Sequence, residues 1–169
     1  VTMDYLKSAL LIYWLLLLAL AFVLPTYRIY KLTGVNPYRL GNSASAHDFV
    51  GGLFRLILLL TMLLVLVYVF AAPLYFYTVP ITWLEQPLLR TIGLLLLTAS
   101  LVWIIVAQVQ MGKSWRIGID SENKTTLVQH GLFAFSRNPI FLGMRVSLLG
   151  FFLVMPNALT LLSFVLGDV

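Results

Sequence analysis

Four long runs of apolar residues, unbroken except for one charge in each, decide what this chain can fold into. They are Tyr5 to Leu24, Leu53 to Tyr77, Leu88 to Val109 and Pro139 to Met155, and their charges are Lys7, Arg55, Arg90 and Arg145. Hydrocarbon offers no water to backbone N–H and C=O groups, so a membrane-crossing chain must satisfy them internally, as helices or as a closed barrel. Continuous runs, rather than the alternation of a barrel strand, select helices. About 20 apolar residues suffice to cross a core of roughly 30 Å. The whole chain agrees: 61% of its 169 residues are hydrophobic and 10% charged, with a mean hydropathy of +0.98, against about 25% charged in soluble domains. The fold class expected is all-α, a polytopic transmembrane helical bundle in a single domain over residues 1–169.

The expected spans are about 5–24, 53–77, 88–109 and 139–155, with 158–169 an incomplete fifth. Pro25 is expected to stop the first span because it lacks an N–H and its ring clashes with the preceding turn. No small-residue cleavage site follows that run, so it does not read as a signal peptide. Residues 26–52 read as a loop from their Gly, Pro, Asn and Ser content, with turns at Asn36-Pro37 and Gly41-Asn42. Tyr75, Phe76 and Tyr77 would form an aromatic belt at the end of the second span. Thr78 to Pro87 reads as a tight connector, and Pro139 is placed at the first position of the fourth span, where its missing N–H goes unused. The last run, Ala158 to Gly167, reaches only about 15 Å at 1.5 Å per residue. It stops halfway across, and the chain begins at Val1, so the expectation is a piece of a longer polypeptide.

Seven of the 11 basic residues lie in two loops: Arg28, Lys31 and Arg39 in the first, and Lys113, Arg116, Lys124 and Arg137 in the third. The positive-inside rule then places loops 26–52 and 111–138 on the cytoplasmic side of an integral membrane protein. The net charge of +5 reads as basic loops facing lipid headgroups, not as a nucleic-acid surface. There is no cysteine, which excludes disulfides, Cys-ligated zinc and Cys nucleophiles. His47 and His130 fall in different loops, and Asp120 and Glu122 sit in a polar turn reaching Lys124, so no metal is expected. No glycine-rich phosphate loop or dinucleotide fingerprint is present.

Chemistry is left to the one polar stretch, Met111 to Gly143, approached by Gln108 and Gln110 at the end of the third span. Gly131 can let backbone pass close to a ligand. Arg137 and Asn138 precede the fourth helix, where free N–H groups and the helix dipole favour a carboxylate. Arg137, Phe141, Met144, Arg145 and Leu148 follow helical spacing on one broad face. Arg145, roughly 9 Å beyond Pro139 at 1.5 Å per residue, is deep enough to be a site candidate. Plainer roles stand beside these: interfacial anchoring for Trp115 and Phe133, solvation for His130, headgroup contact for Arg116, snorkelling for Arg145, and turn or helix packing for Gly131 and Gly143.

In combination, Gly112-x-x-Trp115-Arg116-x-Gly118, Leu127-Val128-x-x-Gly131-x-Phe133 and Ser136-Arg137-Asn138-Pro139-x-Phe141-x-Gly143 resemble the isoprenylcysteine carboxyl methyltransferase and phospholipid methyltransferase superfamily. The likeness covers about residues 108–156. It implies an enzyme that binds S-adenosylmethionine in a pocket at the cytoplasmic membrane face and methylates a lipid-like or small hydrophobic acceptor. Carried over by position, it implies cofactor contacts from Gln108, Leu127, Val128, His130, Gly131, Leu132, Phe133, Asn138, Pro139, Phe141 and Gly143. Arg137 would hold the cofactor's polar end and be the catalytic residue, with Trp115, Arg116 and Arg145 toward the acceptor. Asn138 and Phe141 stand where the family commonly has His and Tyr, and the family's acidic pair after a fifth span has no counterpart in these residues. An acceptor carboxylate or thiolate needs no general base, and no base is evident, so a carboxylate or thiol is favoured. The alternatives are a sterol-reductase-like enzyme using NADPH, and a non-catalytic membrane binding or assembly module. The partners expected are the bilayer and the acceptor, without nucleic acid or metal.

Overall fold

A computed structural model of the chain describes residues 2–34, 36–37, 46–115 and 127–167. Arg116, the Gly41-Asn42 turn and the Asp120 to Lys124 turn of the sequence reading lie outside the described residues. Every regular element among those described is helical; the one strand-like feature is a single antiparallel bridge between Pro80 and Asn157.

The first helix does not stop at Pro25. It runs as α1 (Thr2–Leu17), a π-helical turn (Leu18–Val23) and α2 (Leu24–Thr33), ending at Gly34 in a left-handed conformation with φ 67°. Three features let it pass the proline. The π turn loosens the register just ahead of Pro25, with Leu24 N–H reaching back five residues to Ala19 O. The Ala21 carbonyl, four residues before Pro25 and so deprived of its N–H, accepts from Gln108 Nε2 at 2.6 Å. Thr26 Oγ1 bonds back to Phe22 O at 2.6 Å. The expected loop 26–52 is correspondingly shorter, being helical through Thr33 and again from Ala46.

α3 (Ala46–Phe70) ends before the expected Tyr77 because Pro73 cannot donate to Val69 O, and Ala71 leaves helical geometry at φ −132°, ψ 55°. A short α4 (Ala72–Tyr75) and two 3-10 turns, Phe76–Thr78 and Thr82–Leu84, lead to α5 (Pro87–Met111). α6 (Pro139–Val154) starts at Pro139 as expected, capped by Asn138, whose side chain accepts from Phe141 N. α7 (Ala158–Leu166) follows a reciprocal cap: Asn157 Oδ1 accepts from Leu159 and Thr160 N–H, and Thr160 Oγ1 accepts from Asn157 N.

Three helices are long and apolar enough to cross a membrane: Tyr5–Thr33, Gly51–Phe70 and Pro87–Met111. The protein is therefore a helical membrane protein. α6, apolar but of 16 residues, spans about 24 Å at 1.5 Å per residue.

α5 and α6 form the tightest pair, antiparallel and in contact through small residues. A Cβ on Gly93 would lie 2.9 Å from Gly150 O, and one on Gly150 would lie 3.0 Å from Gly93 O, so the two backbones nearly touch. One step along, Ser100 and Ser147 hydroxyls meet at 2.8 Å, and Tyr13 Oη of α1 joins them at 3.1 and 2.7 Å. Farther on, Gly143 packs under Ile104 and Trp103, and Trp103 Nε1 donates to Pro139 O at 2.8 Å. Phe151 collects the aromatic core, edge-on to Tyr13 and stacked on Trp14. At the end away from the two long loops, Ile81 N–H donates to Pro156 O and Ala158 N–H to Val79 O, tying the connector to the α6–α7 junction. Arg90 pairs there with Glu85 at 3.0 Å.

Gly150→Val forces a side chain into the α5–α6 crossing and is expected to cost about 1–3 kcal/mol by overpacking. Thermal unfolding in detergent, with the exposed Ala99→Val as control, reads it; equal melting temperatures would refute the close crossing. Tyr75 gives a pH test. Burial, opposed by the amide of Asn157 at 3.4 Å, pushes its phenol from 10.0 up to about 12. The folded state holds this proton more tightly than the unfolded chain does. Its contribution is whole below pH 10 and lost as pH rises from about 10 to 12. Tyr75→Phe should remove that part of the alkaline destabilisation, seen as a smaller fall in melting temperature between about pH 10 and 12, the unfolded and folded values for this phenol.

Candidate functional site

Two features occupy the loop end of the bundle, separated by the last turn of α5. Gln108 and Gln110 are two residues apart, so they point about 200° apart around the helix. Gln108, buried, faces the α1–α2 helix and holds the Ala21 carbonyl. Gln110 faces the other way, where its Oε1 accepts from Leu132 N at 2.8 Å.

On the Gln108 side lies a groove of about 240 Å³ between α2 and the end of α5. Leu20, Leu24, Ile29, Ile105 and Val109 give it an aliphatic wall, while Arg28, Gln108 and Trp115 supply its polar and aromatic character. Trp115 is buried, placed by the 3-10 turn Gly112–Ser114 that follows α5. Gly112, at φ 53°, makes that turn possible. Arg28 is exposed, and no ion pair joins it to an acid among the described residues.

On the Gln110 side lies the cradle predicted from Leu127 to Gly143. A 3-10 turn, Gly131–Ala134, follows the extended His130. Gly131 has φ 61°, and a Cβ there would fall 2.5 Å from the Gln110 amide. The close approach expected of this glycine is thus filled by the protein's own side chain. Leu127 and His130 are exposed, while Val128, Leu132 and Phe133 are half-buried. Ser136 Oγ accepts from Asn138 N at 3.3 Å and Asn138 caps α6, leaving Arg137 exposed between them. Pro139 is buried with its carbonyl held by Trp103. Phe141 packs edge-on to Phe54 of α3 at 5.1 Å. Gly143 faces Trp103 and Ile104, in the helix-packing role. Arg145 lies half-buried on α6, one residue from Met144, which with Leu148 packs inward.

The structure therefore brings Gln108 and Trp115 together in the groove and gathers Gly131, Leu132, Arg137, Asn138 and Pro139 on the other side of α5. It joins none of the residues 127–143 to the groove wall. Gln110 and Trp103, which position the cradle, are absent from the predicted site. Their signal was weak: Gln110 sits just past an apolar run and Trp103 inside it, and only the fold reveals their partners 22 and 36 residues away. Among the described residues no group of three His, Asp or Glu side chains could hold a metal ion.

Bundle, groove and cradle define a polytopic helical membrane protein with both candidate features at its loop end. The chain belongs to the family described as "Protein of unknown function (DUF1295)", whose model matches residues 10–168. No curated protein and no solved structure matches it.

Gln108→Leu removes the donor to Ala21 O and is expected to destabilise the protein by about 1–3 kcal/mol, the cost of a buried unpaired carbonyl. Adding Pro25→Ala restores an N–H for that carbonyl, so the double variant should recover stability relative to Gln108→Leu alone. Additive losses in a double-variant thermal cycle would contradict the pairing.

Proposed function

We propose that this chain is an integral membrane methyltransferase that uses S-adenosylmethionine to methylate a lipid-like or small hydrophobic acceptor, with the cradle on the cytoplasmic side. The observation carrying this reading is the placement of an uncommitted guanidinium, Arg137, between a capped helix start and the half-buried Phe133 turn, next to an aliphatic groove at the same end of the bundle. The family to which the chain belongs is associated with steroid 5-alpha-reductase and methyltransferase-like membrane proteins. In this reading α6 serves as the fourth crossing and α7 begins a fifth.

The residues present fit the cofactor's chemistry. Arg137 offers fork-shaped donors to an α-carboxylate, and the positive end of the α6 dipole favours the same charge. The exposed backbone from Leu127 to His130 and the Phe133 ring suit an adenine and its ribose. When bound, the cofactor supplies an electrophilic methyl on a sulfonium, so the protein's own task is alignment and exclusion of water, worth up to about 7–11 kcal/mol. Arg137 fixes one end, and Gln110 holds the Leu132 backbone against drift. No described residue acts as a base, which suits an acceptor that is already ionised, a carboxylate or a thiolate.

One observation favours the second reading, a non-catalytic module: the spaces beside Gly131 and Gly143 are filled by Gln110, Trp103 and Ile104. Calorimetric titration of the full-length protein with S-adenosylhomocysteine separates the readings. The expected result is saturable binding, weakened about tenfold or more in Arg137→Ala, which matches a lost charged hydrogen bond of about 1.5 kcal/mol. Absence of saturable binding would refute the methyltransferase, and saturable NADPH binding in its place would indicate a reductase.

A further inference from the structure

We propose that the groove between α2 and α5 is a binding site for an anionic glycerophospholipid, its phosphate at Arg28 and one acyl chain along Leu24, Leu20, Val109 and Ile105. The site is separate from the Arg137 cradle and does not depend on the methyltransferase reading.

Depth is the first argument. From Tyr5 to Arg28 the helix rises about 35 Å, more than the roughly 30 Å hydrocarbon core, which sets Arg28 at headgroup level. Leu24 and Leu20 then lie about 6 and 12 Å deeper, and Ile105 about 9 Å below the end of α5. The groove thus begins at phosphate level and descends into the leaflet as a lipid does, polar first and aliphatic below. Charge is the second argument. Arg28 is the cation in the groove wall, it is exposed, and among the described residues it has no acidic partner. Lys31, one turn beyond, is exposed as well, so the mouth carries two positive charges and no negative one among the described side chains. A guanidinium binds phosphate oxygens two at a time, which an ammonium cannot.

Shape is the third. At about 240 Å³ the groove falls just below the range of roughly 300–1,000 Å³ typical of whole small-molecule sites. That size suits one chain segment with the headgroup outside. Gln108 closes the inner side with one of its two amide N–H groups already committed to Ala21 O, leaving the other for an ester carbonyl of the lipid's glycerol backbone. Trp115 is buried in the groove wall just past the end of α5.

The test is native mass spectrometry of the full chain in a maltoside detergent, titrated separately with dioleoyl phosphatidylglycerol and dioleoyl phosphatidylcholine. The chains are identical, so the comparison isolates headgroup charge. The expected result is about tenfold tighter binding of phosphatidylglycerol, falling to about twofold or less in Arg28→Ala and only partly kept in Arg28→Lys, whose ammonium meets the phosphate as a point charge. Leu24→Trp, which fills the aliphatic wall, should weaken both lipids together. Equal affinity for the two lipids, or an unchanged preference in Arg28→Ala, overturns the proposal. Displacement of phosphatidylglycerol by millimolar inorganic phosphate overturns it too, because the site would then read free phosphate and not a lipid.

Discussion

Close backbone contact between α5 and α6 at Gly93 and Gly150 is the constraint on which the other helices depend. In lipid there is no hydrophobic force between helices, so association rests on packing and on polar groups that find each other. With both glycines lacking side chains the helices come near enough for Ser100 and Ser147 to bond directly, and both hydroxyls meet Tyr13 Oη of α1. A wider α5–α6 spacing would pull this cluster apart, leaving Ser100 and Ser147 only the carbonyls of their own helices, Leu97 O and Gly143 O. Gly143 continues the same contact toward the loop end, where Trp103 reaches the Pro139 carbonyl and fixes where α6 starts. The cradle around Arg137 inherits its position from that contact.

The α5–α6 pair also explains why the loop end has two separate features instead of one pocket. α5 ends as a partition, with Gln108 spent on α1–α2 and Gln110 spent on the turn after Gly131. Each glutamine serves a backbone group that its own segment cannot satisfy: a carbonyl robbed by Pro25, and an N–H in a turn too short to bond itself.

Much of this was legible in the residues. Apolar runs located the helices, because in hydrocarbon the backbone leaves no other choice, and the Asn138-Pro139 start of α6 followed from local chemistry alone. The passage of the first helix through Pro25 was not legible. The bond that makes it tolerable comes from Gln108, 87 residues away, and no local pattern announces a partner so distant. The early end of α3 at Phe70 was missed for the opposite reason: Pro73 gave a local signal, but the apolar composition ran on past it. Of the candidate site, the motif order led to the loop end of the bundle and to the residues at the α6 start. It could not show that Gly131 and Gly143 face the protein's own side chains, since a glycine needed for packing and one needed for a ligand look alike in sequence.

The π turn at Leu18–Val23 has a consequence for how this helix tolerates change in length. A π turn holds one residue more than the α-helical turn it replaces, so deleting a single residue there would restore a regular α-helix and leave the second half facing as before, whereas the same deletion in the regular part of α1 would turn everything after it by about 100°. Tyr13 and Trp14 would stay in the core, and Arg28 and Ile29 would keep their outward and inward faces. The first helix thus carries one place where its length can change by a residue without changing which way its second half looks.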